Sequence, residues 1–256
     1  MENDQIEKII SRANAVLAFA GKNDDFDAIQ KYVLESENPQ LICAFAENFK
    51  DADVKALQNA IEKLGYLKYM YQFAKNVEKV DVEHMCQVVA QNKYPTLDYL
   101  IEFAELPGAD KYVLVKAVAQ MNNLDYMRKF SRVLDKKGDE ECWDLLCSGF
   151  RSLAIAEKDA AAAFNFSKII PFVYNRFLIQ VFISLKDPYY LYEISKTKNI
   201  EDLVWDVREI EDAMVATENY EYIEKFAETI EWADKTYIYK KVAKLFKDKY
   251  DALENN

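Results

Sequence analysis

The chain has 256 residues, about half of them apolar, and a formal net charge of −11. That length and composition suit a globular chain with a large buried core and exclude a disordered one, while the acidity argues against a positively charged nucleic-acid groove. Five Gly and five Pro are too few turn-formers for a fold of many strands, which points to an all-α protein.

From the N-terminus, MENDQIEKII is acidic and polar where a secretory leader would be basic and then apolar. A short pattern then recurs along the whole chain. LICAFA (41–46), YMYQFA (69–74), YLIEFA (99–104), YMRKFS (126–131), YLYEIS (190–195) and YIEKFA (222–227) share one form, and AVLAFA (15–20) and AAFNFS (162–167) are degenerate copies. Position five of each copy is Phe19, Phe45, Phe73, Phe103, Phe130, Phe166, Ile194 and Phe226, separated by 26, 28, 30, 27, 36, 28 and 32 residues. A period near thirty is the mark of a repeat architecture. The first and fifth positions share a helix face, and the sixth is always Ala or Ser, small enough to let a neighbouring helix come close.

Eight residues after position five stand Asp27, Asp53, Asp81, Asp202 and Asp234, with Asp110 and Asp139 one residue out of register. Each is expected to cap a second helix, its carboxylate accepting from free N–H groups of the first turn. A second apolar stripe follows: Leu57, Ala60, Ile61 and Leu64 in one unit, and Leu178, Val181, Phe182 and Leu185 at the same offset in another. Asn38-Pro39 and Asp187-Pro188 read as starts of first helices, and Gly21, Gly65, Gly108 and Gly138 fall at chain reversals. Each unit is thus a helical hairpin. One hairpin cannot bury both of its apolar faces, so the expected fold is a right-handed α-solenoid of about eight antiparallel hairpins.

In general form the pattern resembles HEAT-like and other short helical-hairpin repeat proteins. The tetratricopeptide and ankyrin signatures are absent, so the resemblance implies a fold and no particular activity. Residues 1–150 would hold about five hairpins and residues 151–256 about three, in one continuous array. The stretch EKDAAAAFNF within 151–168 reads as an insertion, either a buried bend or a partner-facing helix. The apolar run 169–185 contains Pro171, Asn175, Arg176 and Gln180 and is short for a bilayer span, so it reads as a buried helix in which Arg176 needs a partner.

Catalytic signatures are lacking. There is no Gly-x-Gly-x-x-Gly, Gly-Lys-Ser/Thr or Gly-x-Ser-x-Gly. The single histidine, His84, cannot assemble a His-rich metal site, and Cys86 is not at helical ligand spacing from it. No metal or cofactor is expected. The four cysteines read as reduced, packed thiols of a cytoplasmic protein, and the tyrosines as packing residues with hydroxyls at the rim.

Charge is the feature that points to function. Between Glu201 and Asp234 twelve acidic residues face two basic ones, Arg208 and Lys225, whereas residues 151–200 carry +3 and the tail carries Lys240, Lys241, Lys244, Lys247 and Lys249. Asp202, Asp206, Glu209 and Asp212 form one helical stripe, with Trp205 on the same side, and Glu221, Glu224, Glu228 and Glu231 form another. Carboxylates around an aromatic suit a partner presenting Lys or Arg. The expected function is therefore a non-catalytic protein–protein interaction module for a basic partner surface, without direct nucleic-acid or membrane binding. Two alternatives are an acidic, nucleic-acid-mimicking inhibitor of a nuclease or defence complex, and a HEAT-like DNA glycosylase, which the charge disfavours.

Overall fold

The computed structural model describes residues 2–20, 24–93, 95–197 and 207–254, and among them it is all-helical, with sixteen α-helices and no strand. The chain divides into two compact units, Met1–Gln120 and Met121–Asn256. The first unit holds α1 (Glu2–Ala20), α2 (Asp24–Glu35), α3 (Pro39–Asn48), α4 (Val54–Leu64), α5 (Leu67–Asn76), α6 (Val82–Ala90), α7 (Leu97–Ala104) and α8 (Lys111–Gln120). The second holds α9 (Leu124–Phe130), α10 (Glu140–Glu157), α11 (Ala160–Ser167), α12 (Asn175–Leu185), α13 (Pro188–Ser195), α14 (Arg208–Val215), α15 (Tyr220–Thr229) and α16 (Lys235–Glu254). Residues 150 and 151, where the sequence suggests a join, lie inside α10.

All eight copies of the hexapeptide fall on odd-numbered helices, at or near their C-terminal ends. Phe45, Phe73, Phe103, Phe130, Phe166, Ile194 and Phe226 are buried, and Phe19 lies outside the described side chains. The small sixth residue is buried in every described copy. Where it is serine, its hydroxyl bonds back within the helix: Ser131, Ser167 and Ser195 donate to the carbonyls of Arg128, Phe164 and Leu191 at 2.7, 2.7 and 2.6 Å.

The first position is buried at Leu41 but departs from expectation where it is tyrosine. Tyr69, Tyr99, Tyr190 and Tyr222 are only half-buried and Tyr126 is exposed, whereas the second position (Ile42, Met70, Leu100, Met127, Ala163, Leu191, Ile223) is buried throughout. The core stripe therefore runs through positions two, five and six, the i, i+3, i+4 spacing of one helix face, and the tyrosines flank it.

Within each unit a helix packs on its sequence neighbour and on the next helix but one. In the first unit α3 touches α4 and α5, and α5 touches α6 and α7. In the second, α12 touches α10, α11, α13 and α14, and α13 touches α15. The 36-residue gap between Phe130 and Phe166 is filled by the 18-residue α10, with a 3₁₀ turn over Ser131–Val133 before it. The alanines that look like an insertion form α11, an ordinary short helix with Ala160 and Ala163 buried. Arg176 is half-exposed at the start of α12 and pairs with Asp144 at 3.0 Å.

Local signals explain most helix ends. The side chains of Asn38, Asp53, Asp81, Asn123, Asp159, Asp187 and Asn219 accept from N–H groups of the helices they precede. Asp110 and Asp234 do the same for Val113 and Tyr237. Gly65 ends α4 in the left-handed region at φ 71°, where a side chain would be strained.

Two expected caps are not found. Asp27 lies inside α2, and Asp139 precedes α10 but turns its carboxylate to the N–H of Asp135. Asp27 is displaced because α2 starts at Asp24, four residues before the start a cap at Asp27 would give; Asp139 serves the tight reversal at 135–139 instead. Asp202 lies outside the described residues.

Candidate acidic interface on α14 and α15

The acidic block lies in the second unit, on α14, α15 and the turn that leads to α16. Asp202, Trp205 and Asp206 lie outside the described residues. Ile210 and Met214 fix the inner face of α14, and Ile223 and Phe226 that of α15, which turns the carboxylates outward. Glu209, Asp212, Glu221, Glu224, Glu228 and Glu231 are all exposed. Glu231 stands apart from its expected stripe, because α15 ends at Thr229 with Ile230 as cap and Glu231 sits in the following turn.

The carboxylates differ sharply in what they meet. Glu211 is fully buried; it accepts from the Asp234 N–H at 2.7 Å and from the Arg208 guanidinium at 2.8 Å. Arg208 also reaches Asp234 at 2.9 Å and lies over the Tyr237 ring at 4.0 Å from its centroid. Its bonds to Asp234 and Glu211 push its pKa above the ordinary value. Asp234 is held below the usual carboxylate range, first by the Tyr237 N–H and then by Arg208.

Lysines of α16 take up much of the remaining acid. Lys235 pairs with Glu228 at 2.6 Å, and the Tyr239 hydroxyl donates to the same carboxylate at 3.1 Å; together they hold Glu228 below its usual range. Lys241 pairs with Asp212 at 3.1 Å and the Tyr237 hydroxyl donates to it at 2.8 Å. Lys249 pairs with Glu218, and Glu209 accepts from the Gln180 amide at 3.3 Å.

Glu221, Glu224 and Glu231 have no ion pair or hydrogen-bond partner among the described residues. The basic tail is visible in the sequence, but composition and charge counts alone do not show its pairing. The signal is the separation: Arg208–Asp234, Asp212–Lys241 and Glu218–Lys249 lie 26, 29 and 31 residues apart, one repeat each.

Elsewhere, His84 is half-exposed with Nε2 at 3.3 Å from Glu62. The four cysteines are buried and none is in a disulfide. Among the described residues no group of three or more His, Cys, Asp or Glu is arranged to hold a metal ion, and no helix is long and apolar enough to cross a membrane.

The chain matches no family model, no curated protein and no solved structure.

Proposed function

We propose that the protein is a non-catalytic interaction module in which helical hairpins stack as a right-handed α-solenoid within each unit, and that its α14–α15 face takes up a partner protein presenting Lys or Arg. The repeat reading is supported by the contacts of each helix with the next but one and by the buried Phe register. The observation that carries the binding reading is the unequal treatment of the acids. Glu228, Asp212, Glu218 and Asp234 are neutralised by the chain itself, whereas Glu221, Glu224 and Glu231 face water without a cation. Unpaired exposed carboxylates close together repel one another, and a cationic partner relieves that repulsion.

A mimic of nucleic acid asks for uninterrupted rows of negative charge. Lys235 and Lys241 sit on the acid of this face, which favours the protein-partner reading. In this reading the protein works in the cytoplasm, its buried thiols reduced.

The test is affinity capture from an extract of the source cell with the wild-type chain and the Glu221→Lys/Glu224→Lys/Glu231→Lys variant, followed by mass spectrometry. The expected result is a basic protein held by the wild type and lost by the variant at unchanged helical circular dichroism. A control reversing Glu35, Glu37 and Glu78, exposed in the first unit, should retain it. Identical capture by all three chains would sink the assignment of this face.

A further inference from the structure

In the second unit of this acidic chain lies a surface cavity of about 200 Å3 whose charged walls are all cationic, formed by Arg128, Arg132 and Lys136. Three segments converge on it: the end of α9, the 3₁₀ turn with the reversal before α10, and the end of α11. Ser131 and Asn165 add polar groups, and Leu134 and Ile169 add apolar wall.

The frame is tied down from behind. Trp143, buried on α10, donates from Nε1 to the Asp135 carbonyl at 2.9 Å, and the Asp135 N–H donates to Asp139 at 2.6 Å. These bonds fix the reversal that carries Lys136. Arg128 is partly committed, sharing Asp125 with Lys129. Arg132 and Lys136 have no ion pair or hydrogen-bond partner among the described residues.

Three like charges around one cavity repel each other unless an anion joins them. Asp125 is shared between Arg128 and Lys129, and the two cavity cations left without a carboxylate, Arg132 and Lys136, match a dianion better than a monoanion. A phosphate monoester carries about −1.5 to −2 at neutral pH, and the planar fork of a guanidinium fits its oxygens. The volume equals that of roughly seven waters of liquid, enough for a phosphoryl group and the start of its ester, and below the ~300 Å3 at which sites for larger organic ligands begin. Ile169, 42% exposed at the rim, offers an apolar surface that an ester body would cover.

We propose that this cavity binds the dianionic phosphoryl group of a phosphate monoester, with Arg132 and Lys136 taking its oxygens and Ile169 meeting its apolar body. The site is separate from the acidic face and does not rest on the function proposed for it.

Isothermal titration of the full chain with phenyl phosphate at low salt tests the proposal. A single saturable site is expected, with phenyl sulfate, a monoanion of the same shape, binding more weakly. Arg132→Gln/Lys136→Gln should lower the affinity about tenfold or more, as loss of charge-assisted bonds requires, while Lys244→Gln on α16 leaves it unchanged. Circular dichroism and the urea midpoint of each variant establish that the fold is intact. A phosphotyrosine flanked by two capped residues separates the sources of the group: tighter binding than phenyl phosphate assigns it to a modified polypeptide, equal or weaker binding to a free ester. No saturable heat up to about 10 mM ligand, equal affinity for phenyl sulfate, or wild-type affinity in the double variant would each overturn the assignment.

Discussion

Cys43, Cys86 and Cys147 pack into the helical cores, and burial pushes their thiols up to about 12, about 11 and about 12 respectively. The Glu47 carboxylate adds to the effect at Cys43 and Asp144 at Cys147. In the unfolded chain a thiol ionises near ~8.5, so the folded state holds these protons more tightly. Their contribution to stability is complete below that value and is lost as pH rises toward the folded values of about 11 and about 12. Lysines and tyrosines titrate in the same window, so the informative quantity is a difference between chains. Cys43→Ala and Cys147→Ala leave a roughly constant packing cost with pH, but remove the alkaline slope that the thiol supplies. Urea midpoints measured from about pH 7 to about pH 10.5 should therefore converge on the wild type as pH rises. Curves that stay parallel would show that these thiols ionise as freely in the folded protein as in the unfolded one.

At the level of elements, much was legible because the signals are local. A Pro behind Asn38 or Asp187, an Asp eight residues past a phenylalanine and a recurring Ala or Ser each act within a turn or two, and Asn38, Asp187, Asp53, Asp81 and the described Ala and Ser residues are found where their spacing puts them. Asp27 fails because a cap is defined by where the helix begins, and Asp24 begins it earlier. The tyrosines at position one fail because apolar spacing does not distinguish the centre of a buried stripe from its edge. The bonds between repeats were not legible at all, since they need the facing of two hairpins. Gln58, almost fully buried on α4, accepts from the Asp81 N–H at 3.0 Å and donates to the Asp81 carbonyl at 3.1 Å. Gln30 and Glu211 accept from the N–H groups of Asp53 and Asp234 at the same 23-residue separation. Each bond thus joins the second helix of one repeat to the cap of the next. Gln58→Leu strands the Asp81 N–H, while the Asp81 carbonyl keeps its bond from the Met85 N–H at 3.1 Å, and should cost about 1–3 kcal/mol in chemical denaturation. Glu211→Gln keeps an acceptor for Asp234 and should cost less than Glu211→Leu, which also leaves Arg208 without its buried partner. Equal losses for the two Glu211 variants would mean that the acceptor to Asp234 contributes little.

Across the whole molecule, nearly all of the −11 net charge sits between Glu201 and Asp234, yet the structure does not leave that block bare. Its described part lies beside α16, which is held by the buried Ile238, by Phe246 stacked on Tyr220 with ring centroids 5.0 Å apart, and by the exposed ion pairs of Lys235, Lys241 and Lys249. The acidic face was legible as a run of sequence. The division of its residues into neutralised and unpaired was not, because it depends on which carboxylates fall within reach of Lys235, Lys241 and Lys249. This arrangement should make α16 more sensitive to acid than the apolar α12. Glu228 and Asp234 are held below the usual carboxylate range, so their contribution is present above the unfolded value near ~4 and is lost as pH falls through the depressed folded values. Hydrogen exchange, corrected for intrinsic rates and followed from about pH 7 to about pH 3, should show α16 losing protection at a higher pH than α12, which buries Leu178, Ile179, Val181 and Phe182. High salt at neutral pH should weaken α16 in the same direction by screening its exposed pairs. If α16 and α12 open together, apolar contact rather than charge holds the helix in place, and Glu228 and Asp212 would be as available to a basic partner as Glu221 and Glu224 are.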